Sequence, residues 1–341
     1  MPRKTKVVTT CLNGLSGRTV KDRLDSAMAL LELACRLRPD VVCLPENFAS
    51  AGIPLPPAER AEPVPGPTTD ACATRARAHH TCVICPLLTA REGRVYNSAV
   101  VLDRAGGIVG VYDKVQPVTS RSDVTVMESG ITPGAGAAVF DLDCGRIGIQ
   151  ICFDIQFPET WAELARQGAE LVFWPSAYDG GLPLRLFAFL HGYYVVSSVR
   201  TSHARIINPL GEELDHTGPR QAVVGRTIDL DYIVCHYDFH HGIPDELIRT
   251  HGADLDLRML HEEGRFLVES SREDLPLAEV INQFGLTPLA DYIDAHRAAY
   301  PALRQGRTPT PQDLPFAGRQ PYAPMTLEEW TRLRAARRQH D

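Results

Sequence analysis

Three side chains of complementary chemistry stand where apolar, strand-like runs of this sequence end. In Arg146-Ile-Gly-Ile-Gln-Ile-Cys152-Phe-Asp-Ile-Gln-Phe-Pro-Glu159, Ile147, Ile149 and Ile151 alternate as in a buried strand that stops at Cys152. Pro158 and Glu159 then open a helical pattern, with proline suited to a first turn. Cys152 is thus placed at a strand-to-helix junction, where backbone N–H groups are free and a thiol can act as a nucleophile. In Asp40-Val-Val-Cys-Leu-Pro-Glu46-Asn-Phe48 a short apolar strand runs into a carboxylate. In Ile108-Val-Gly-Val-Tyr-Asp-Lys114 another strand delivers an ammonium. Open α/β sheets gather their reactive groups at strand ends. A buried core cysteine is the ordinary fate of one such residue; the three together favour a site.

Glu, Lys and Cys in this order and context resemble the nitrilase (carbon–nitrogen hydrolase) superfamily. Flanking pieces match as well: Tyr96-Asn-Ser-Ala-Val-Val-Leu-Asp103 before the lysine strand, and Trp174-Pro-Ser-Ala177 after the cysteine helix. The resemblance covers roughly residues 5–230. It implies cysteine-dependent hydrolysis of a non-peptide C–N bond, in an amide or carbamoyl amide, without a cofactor. Splitting amide cleavage through a thioester replaces one hard step by two easier ones. Cys152 would be the nucleophile. Its thiol, ordinarily near ~8.5, needs a base, and Glu46 would serve. Lys114 and the Phe153 N–H would stabilise the oxyanion. Glu128, placed before Thr132-Pro-Gly134 between lysine and cysteine, is the candidate for the family's second glutamate. Phe153, Tyr178 and Asn47, adjoining the motifs, are expected to bind substrate. Acyl transfer to another acceptor would use the same thioester, and a non-catalytic binding protein could share the fold; the three intact residue types argue against the latter.

The sequence also departs from relatives that cleave N-carbamoyl amino acids. Those place arginine three or four residues after the cysteine to grip a carboxylate, where this chain has Ile155 and Gln156. A common Lys-x-His pattern appears as Lys114-Val-Gln116, and a usual helix glutamate aligns with Leu190. A guanidinium fork has no apolar substitute. The expectation is therefore an apolar pocket for a neutral or bulky amide.

Positioning these residues requires an α/β frame, since strands and helices alternate. A first strand over 6–12 precedes a helix capped at Thr19 or Ser16 and running to about Leu37. Further helices are expected from Thr68 or Thr69 to about His80 and over 183–190. Strands are expected at 81–88, 96–102, 108–113, 170–174, 193–200, 203–207 and 222–229, with a long loop over 115–136. The resemblance adds what periodicity cannot show: a four-layer αββα sandwich over 1–231, followed by a C-terminal extension over 232–341. In the extension, 274–285 and 288–299 read as helices, Arg304–Pro324 as an extended arm, and Thr326-Leu-Glu-Glu329 as a capping box.

Bulk properties set limits. Of 341 residues, 44% are hydrophobic and 23% charged, with net charge −7. This is ordinary globular composition, and the acidic balance argues against a nucleic-acid surface. No apolar run approaches a membrane span. The basic N-terminus lacks an apolar signal core, and nine scattered cysteines suit a reducing cytoplasm. Cys82-Val-Ile-Cys85 has CxxC spacing, but on a strand its thiols face opposite ways, and no second pair completes a zinc site. Cys235, His236, His240 and His241 are read as hydrated loop residues, so no metal is expected. The apolar face of Leu277, Val280, Ile281 and Phe284 and the arm beyond it suggest a homodimer.

Overall fold

The computed structural model describes residues 3–13, 17–272 and 274–311. The chain separates into two compact units, Pro2–Asp231 and Tyr232–Asp341.

The first unit holds two six-stranded mixed sheets. One is ordered β12-β1-β2-β3-β4-β5, from Val223–Asp229, Lys4–Thr10, Val41–Cys43, Cys82–Arg91, Arg94–Leu102 and Ile108–Asp113. The other is ordered β11-β10-β9-β8-β7-β6, from Glu213–His216, Arg205–Ile207, Tyr194–Val199, Leu171–Ser176, Gly145–Ile149 and Val139–Leu142. Each has three parallel central strands, β1, β2, β3 and β7, β8, β9, flanked by antiparallel neighbours. Helices α1 (Val20–Cys35) and α3 (Pro67–His79) join the core of the first sheet, packing Leu31, Ala34 and Ala76 with Val8, Val42 and Val100. Helices α4 (Pro158–Arg166) and α5 (Leu182–His191) cover the second, packing Trp161, Leu164 and Phe187 with Val172 and Val195. A one-turn helix, α2 (Pro57–Arg60), interrupts the proline-rich loop. The layered α/β sandwich is therefore present.

Local chemistry explains the boundaries. Thr19 caps α1: Asp22 N donates to Thr19 Oγ1 and Thr19 N to Asp22 Oδ2, both at 3.1 Å. The helix stops before Pro39, with Arg38 in the left-handed region at φ 53°. Helix α3 begins at Pro67 rather than at a threonine cap, since Gly66 occupies the cap and donates to Thr69 Oγ1. Strand β6 and helix α2 were not apparent in the sequence.

Small hydroxyls stitch the sheets together between their inner faces. Ser198 Oγ donates to Thr10 O at 2.8 Å and lies 3.0 Å from Cys43 O, and Thr9 Oγ1 donates to Ser197 O. Beyond β1, Leu12 N donates to Val199 O at 3.0 Å. Dispersion alone would allow two apolar faces to slide; directional bonds at the centre fix their register.

The second unit has its own core. A three-stranded sheet, ordered β13-β15-β14 (Tyr232–His236, Arg265–Ser270, Leu255–Leu260), packs with α6 (Ile243–His251) and α7 (Leu277–Phe284) through Cys235, Leu247, Phe266, Val268 and Val280. The sheet and α6 were not expected. Helix α8 spans Leu289–Arg304, with Pro288 rather than Thr287 at its cap position. His240 is buried rather than hydrated: Thr287 N donates to its Nε2 at 3.0 Å and its Nδ1 lies 2.7 Å from His236 O. The expected arm is described only as far as residue 311; its remainder and the helix expected from Thr326 lie outside the described residues.

Candidate active site

Glu46, Lys114 and Cys152 are brought to one place by the strand ends that carry them. Glu46 follows β2 after Pro45, which ends the ladder by lacking an N–H. Lys114 directly follows β5 and is pinned by its backbone, donating to Asn97 O and accepting from Gly134 N, both at 2.8 Å. Cys152 follows β7 and opens a 3₁₀ turn over Cys152–Gln156. It holds a left-handed φ of 48°, and its carbonyl accepts from Trp174 Nε1 at 3.0 Å. Such a conformation costs a non-glycine residue roughly 1–3 kcal/mol and persists where surrounding structure enforces it. The charged side chains are buried: Glu46 is 2% exposed and Lys114 1%.

The Lys114 ammonium lies 3.3 Å from Glu46 Oε1 and donates to Glu128 Oε1. Asn97 bridges the same two acids, its Nδ2 at 2.8 Å from Glu46 Oε1 and 3.2 Å from Glu128 Oε2. Glu128 is delivered by the long loop at φ 40°, held in place by reciprocal bonds with Val118: Glu128 N to Val118 O at 2.8 Å and Val118 N to Glu128 Oε1 at 3.1 Å. Burial opposes the Lys114 charge, but Glu46, Cys152 and Glu128 outweigh it and raise its pKa above the ordinary lysine value. The lysine is a fixed cation.

The Cys152 thiol is pushed up to about 11, first by burial and then by the negative charge of Glu46. Lys114, the Ala177 N–H and the Ser176 hydroxyl pull the other way without prevailing. At neutral pH the resting group is a thiol facing a carboxylate, which is the pairing that general-base activation requires.

Asp154, two residues beyond the cysteine, ties the lysine strand to the cysteine turn. It accepts from Tyr112 OH, Gln116 N and Ile151 N, each at 2.8 Å. Burial raises it to about 6 against these three bonds and Lys114, which lower it. Its charge therefore costs stability above about pH 6, and protonation relieves that cost as pH falls through this value. Asp154→Asn should nonetheless lower the melting temperature by several degrees. An amide presents one acceptor and forces its NH₂ against buried donors, each mismatch costing about 1–3 kcal/mol. Tyr112→Phe, which removes one donor, should cost less. Thermal unfolding of both variants checks this, and an unchanged Asp154→Asn protein would remove the clamp.

Of the substrate-binding residues expected, Tyr178 stands at the site: it is 37% exposed and packs edge-on to Trp174 at 5.4 Å. Phe153 packs edge-on to Phe157 at 5.7 Å. Asn47 adopts a left-handed φ of 51°, and its Oδ1 is buried without a hydrogen-bond partner. Leu190, aligned with a helix glutamate of relatives, lies half exposed on α5. Sequence reasoning missed Asn97, Asp154 and Arg200. Arg200 follows β9, and its Nη2 lies 3.4 Å from Glu46 Oε2. Asn97 left one signal, a polar residue leading the apolar run Ala99–Leu102.

Two groups of potential metal donors occur among the described residues, each with its ligand atoms within 4.8 Å of one another: Cys82, Asp143, Cys144 and His203, Glu213, His216. Arg104 already engages Asp143 and Arg205 engages Glu213, each at 2.7 Å or less. Neither group includes Glu46, Lys114 or Cys152. Cys82 and Cys85 do diverge from β3, one lying beside Cys144 and the other beside Cys72.

The profile of the carbon–nitrogen hydrolase family matches residues 16–234. The chain belongs to this family. A deaminated glutathione amidase of Synechocystis sp. is 30% identical over 237 residues, spanning 62% of this chain and 87% of the relative. The human omega-amidase NIT2 is 27% identical over 231 residues, spanning 61% and 83%. Among solved structures, Saccharomyces cerevisiae Nit3, a member of the nitrilase superfamily, superposes with a TM-score of 0.57 at 21% identity, covering 66% of this chain and 90% of that one. An amidase from Nesterenkonia sp. gives 0.56 at 17%, covering 67% and 90%. The family match and the 30%-identical relative place this chain among amidase-like carbon–nitrogen hydrolases. No helix among its described residues is long and apolar enough to cross a membrane.

Proposed function

We propose that this protein hydrolyses a small-molecule amide through a thioester on Cys152. The observation that carries the reading is the cluster of buried Glu46 and Lys114 with partly buried Glu128, set against a protonated thiol. Glu46 accepts the Cys152 proton as sulfur bonds to the carbonyl carbon and the C=O electron pair moves onto oxygen. Lys114 and the Phe153 N–H, the latter in the first turn of the 3₁₀ segment where N–H groups lack helical acceptors, stabilise that oxyanion. Collapse breaks the C–N bond, and Glu46 returns the proton to the departing ammonia or amine. Glu46 next takes a proton from water as its oxygen attacks the thioester, and the sulfur leaves to recover a proton. Glu128 positions Lys114, and Asn97 orients Glu46. No step draws on a cofactor or metal.

The test is a panel of linear amides and ureido compounds assayed for ammonia release, with mass spectrometry of the quenched enzyme. Turnover with a substrate-sized adduct on Cys152 is expected. Turnover without an acyl adduct on Cys152 under rapid quench, and with undiminished activity after alkylation of the thiol, would sink the thioester.

The same reading includes a homodimer in a reducing cytoplasm. Every described cysteine is a free thiol. Helix α5 carries Leu182, Leu186 and Leu190 at 72%, 45% and 50% exposure, spaced by four so that they form one stripe. Leu186→Asp should convert a dimer into monomers by light scattering at micromolar concentration. A wild type that is already monomeric ends the proposal.

A further inference from the structure

The thiols of this chain are not equivalent. Among the described cysteines, Cys144 alone is not buried. It stands in the turn Asp143-Cys144 that joins β6 to β7 in the second sheet. Cys82, 1% exposed, opens β3 of the first sheet. The two sulfurs and a carboxylate oxygen of Asp143 lie within 4.8 Å of one another. An accessible thiol thus faces a sheltered one from sheet to sheet. The neighbours Cys72 and Cys85 are both fully buried, out of reach of any oxidant in solution.

The surroundings hold the pair together. Thr5 Oγ1 of β1 donates to Cys144 O at 2.9 Å. Arg104, in the turn after β4, donates from Nε to Asp143 Oδ2 at 2.6 Å, from Nη2 to Asp40 Oδ1 at 2.7 Å and from Nη1 to His80 O at 2.9 Å. Cys82 N in turn donates to Asp40 O at 2.8 Å. One guanidinium therefore binds the segments that carry both cysteines, and it sets a fixed positive charge beside them, which favours a thiolate. The Cys144 thiol is held below the usual cysteine value, first by the Cys82 thiol and in smaller part by Arg104, against burial, Asp143 and Asp40. Cys82 is pushed up by Cys144 and by burial. The accessible sulfur is the attacking group of the pair and the sheltered one is placed to resolve what it forms.

We infer that Cys144 and Cys82 form a reversible disulfide between the two sheets, made by exchange with a low-molecular-weight disulfide of the glutathione type. The Cys144 thiolate attacks one sulfur of that disulfide. A mixed disulfide forms, and the other half leaves as a thiolate and takes up the proton that Cys144 released. Cys82 then gives up its proton and attacks Cys144 Sγ, and the second small thiolate leaves and is protonated. Two protein thiols are oxidised and one small disulfide is reduced to two thiols. The sulfurs close to about 2.05 Å, and the turn that bears Cys144 is the element that moves. In a reducing compartment such a bond is transient and follows the redox state.

The pair lies away from the proposed chemistry. Cys144 precedes β7 and Cys152 follows it, a separation of roughly 15 Å along the strand. Cys82 pairs with Val41 at the start of β2, whereas Glu46 follows its end. The bond therefore staples the two sheets at the ends remote from Glu46 and Cys152. It also closes the chain between residues 82 and 144 into a long loop, the kind that gains most from a cross-link.

The full chain should be equilibrated in buffers of rising glutathione disulfide to glutathione ratio, quenched, alkylated and digested. Mass spectrometry should find one peptide joining Cys82 to Cys144, dissolved by dithiothreitol, with Cys152 still free. The oxidised protein should melt roughly 5 °C or more above the reduced one. Cys144→Ser and Cys82→Ser should each lose that difference. Cys82→Ser should instead stop at a glutathione adduct on Cys144, and Cys144→Ser should carry none on Cys82. Should Cys82→Ser fail to fold, the wild-type cross-link and the Cys144→Ser turn variant still decide. Thiols that both stay free at every ratio overturn the inference, as does glutathione on Cys152 while Cys144 remains unmodified. Thiols released only by a chelator would make the pair a metal site and overturn it as well. These readouts need no substrate and stand apart from the amidase reading.

Discussion

Cys152→Ala is expected to reduce turnover to background, a loss on the order of 10⁴–10⁶ in kcat when a covalent nucleophile is removed. The fold should survive. The bond from Trp174 to this position is made by the backbone carbonyl, which alanine keeps, and the side chain shrinks by one atom. Circular dichroism and thermal unfolding should therefore match wild type within about 1–2 kcal/mol. The variant should also bind substrate without consuming it. An alanine protein retaining more than a few per cent of wild-type activity would remove Cys152 from the reaction and with it the thioester.

Lys114→Ala has the second large effect, and it acts twice. The ammonium is 1% exposed between Glu46 and Glu128. Its pKa is raised above the ordinary value, so the stability it contributes is fully present at neutral pH and is lost only in strongly alkaline solution. Removing it leaves the buried Glu46 and the partly buried Glu128 sharing Asn97 with no ammonium between them. Breaking a buried ion pair in this way typically costs about 3–5 kcal/mol. One of the acids must then take a proton, so the variant should gain stability as pH falls toward 5, while wild type gains none from this pair. In the proposed mechanism the same lysine serves the developing oxyanion, so kcat should fall by about 10³ or more. Lys114→Met, which keeps the volume, separates the charge effect from the cavity. Denaturant unfolding and steady-state kinetics at two pH values check both arms. Normal kcat with a raised KM alone would make Lys114 a substrate-binding group.

The three chemistry-bearing residues were legible because each ends a local pattern. Ile147, Ile149 and Ile151 alternate before Cys152, Val41 and Val42 precede Glu46, and Val109 to Tyr112 precede Lys114. Helix α1 was legible for the same reason, through a cap and a repeat contained within one stretch. What escaped is held by distant partners. Asn97 owes its role to Glu46 and Glu128, Asp154 to Tyr112 and Gln116, and Arg200 to an acid on the other sheet. His240 reads as a loop residue until Thr287 arrives to cover it. Strands β14 and β15 mix charged and apolar residues, as in Asp256, Arg258 and Glu269, and their pairing is visible only across the turn that joins them.

The last strand of the first unit has a consequence for how the enzyme is made. Strand β12 pairs with β1 along its whole length, from Lys4 opposite Asp229 to Thr10 opposite Val223. The sheet that bears Glu46 and Lys114 is thus completed by the final residues of that unit. A chain emerging from the ribosome has already presented Glu46, Lys114 and Cys152 long before this strand appears. Until then β1, the central strand beside β2, has one flank open, and contacts between sequence-distant ends are the slowest to form. The Cys152 thiol is thus synthesised early and housed late. Its pairing with Glu46 and Lys114 depends on a strand that the chain supplies last.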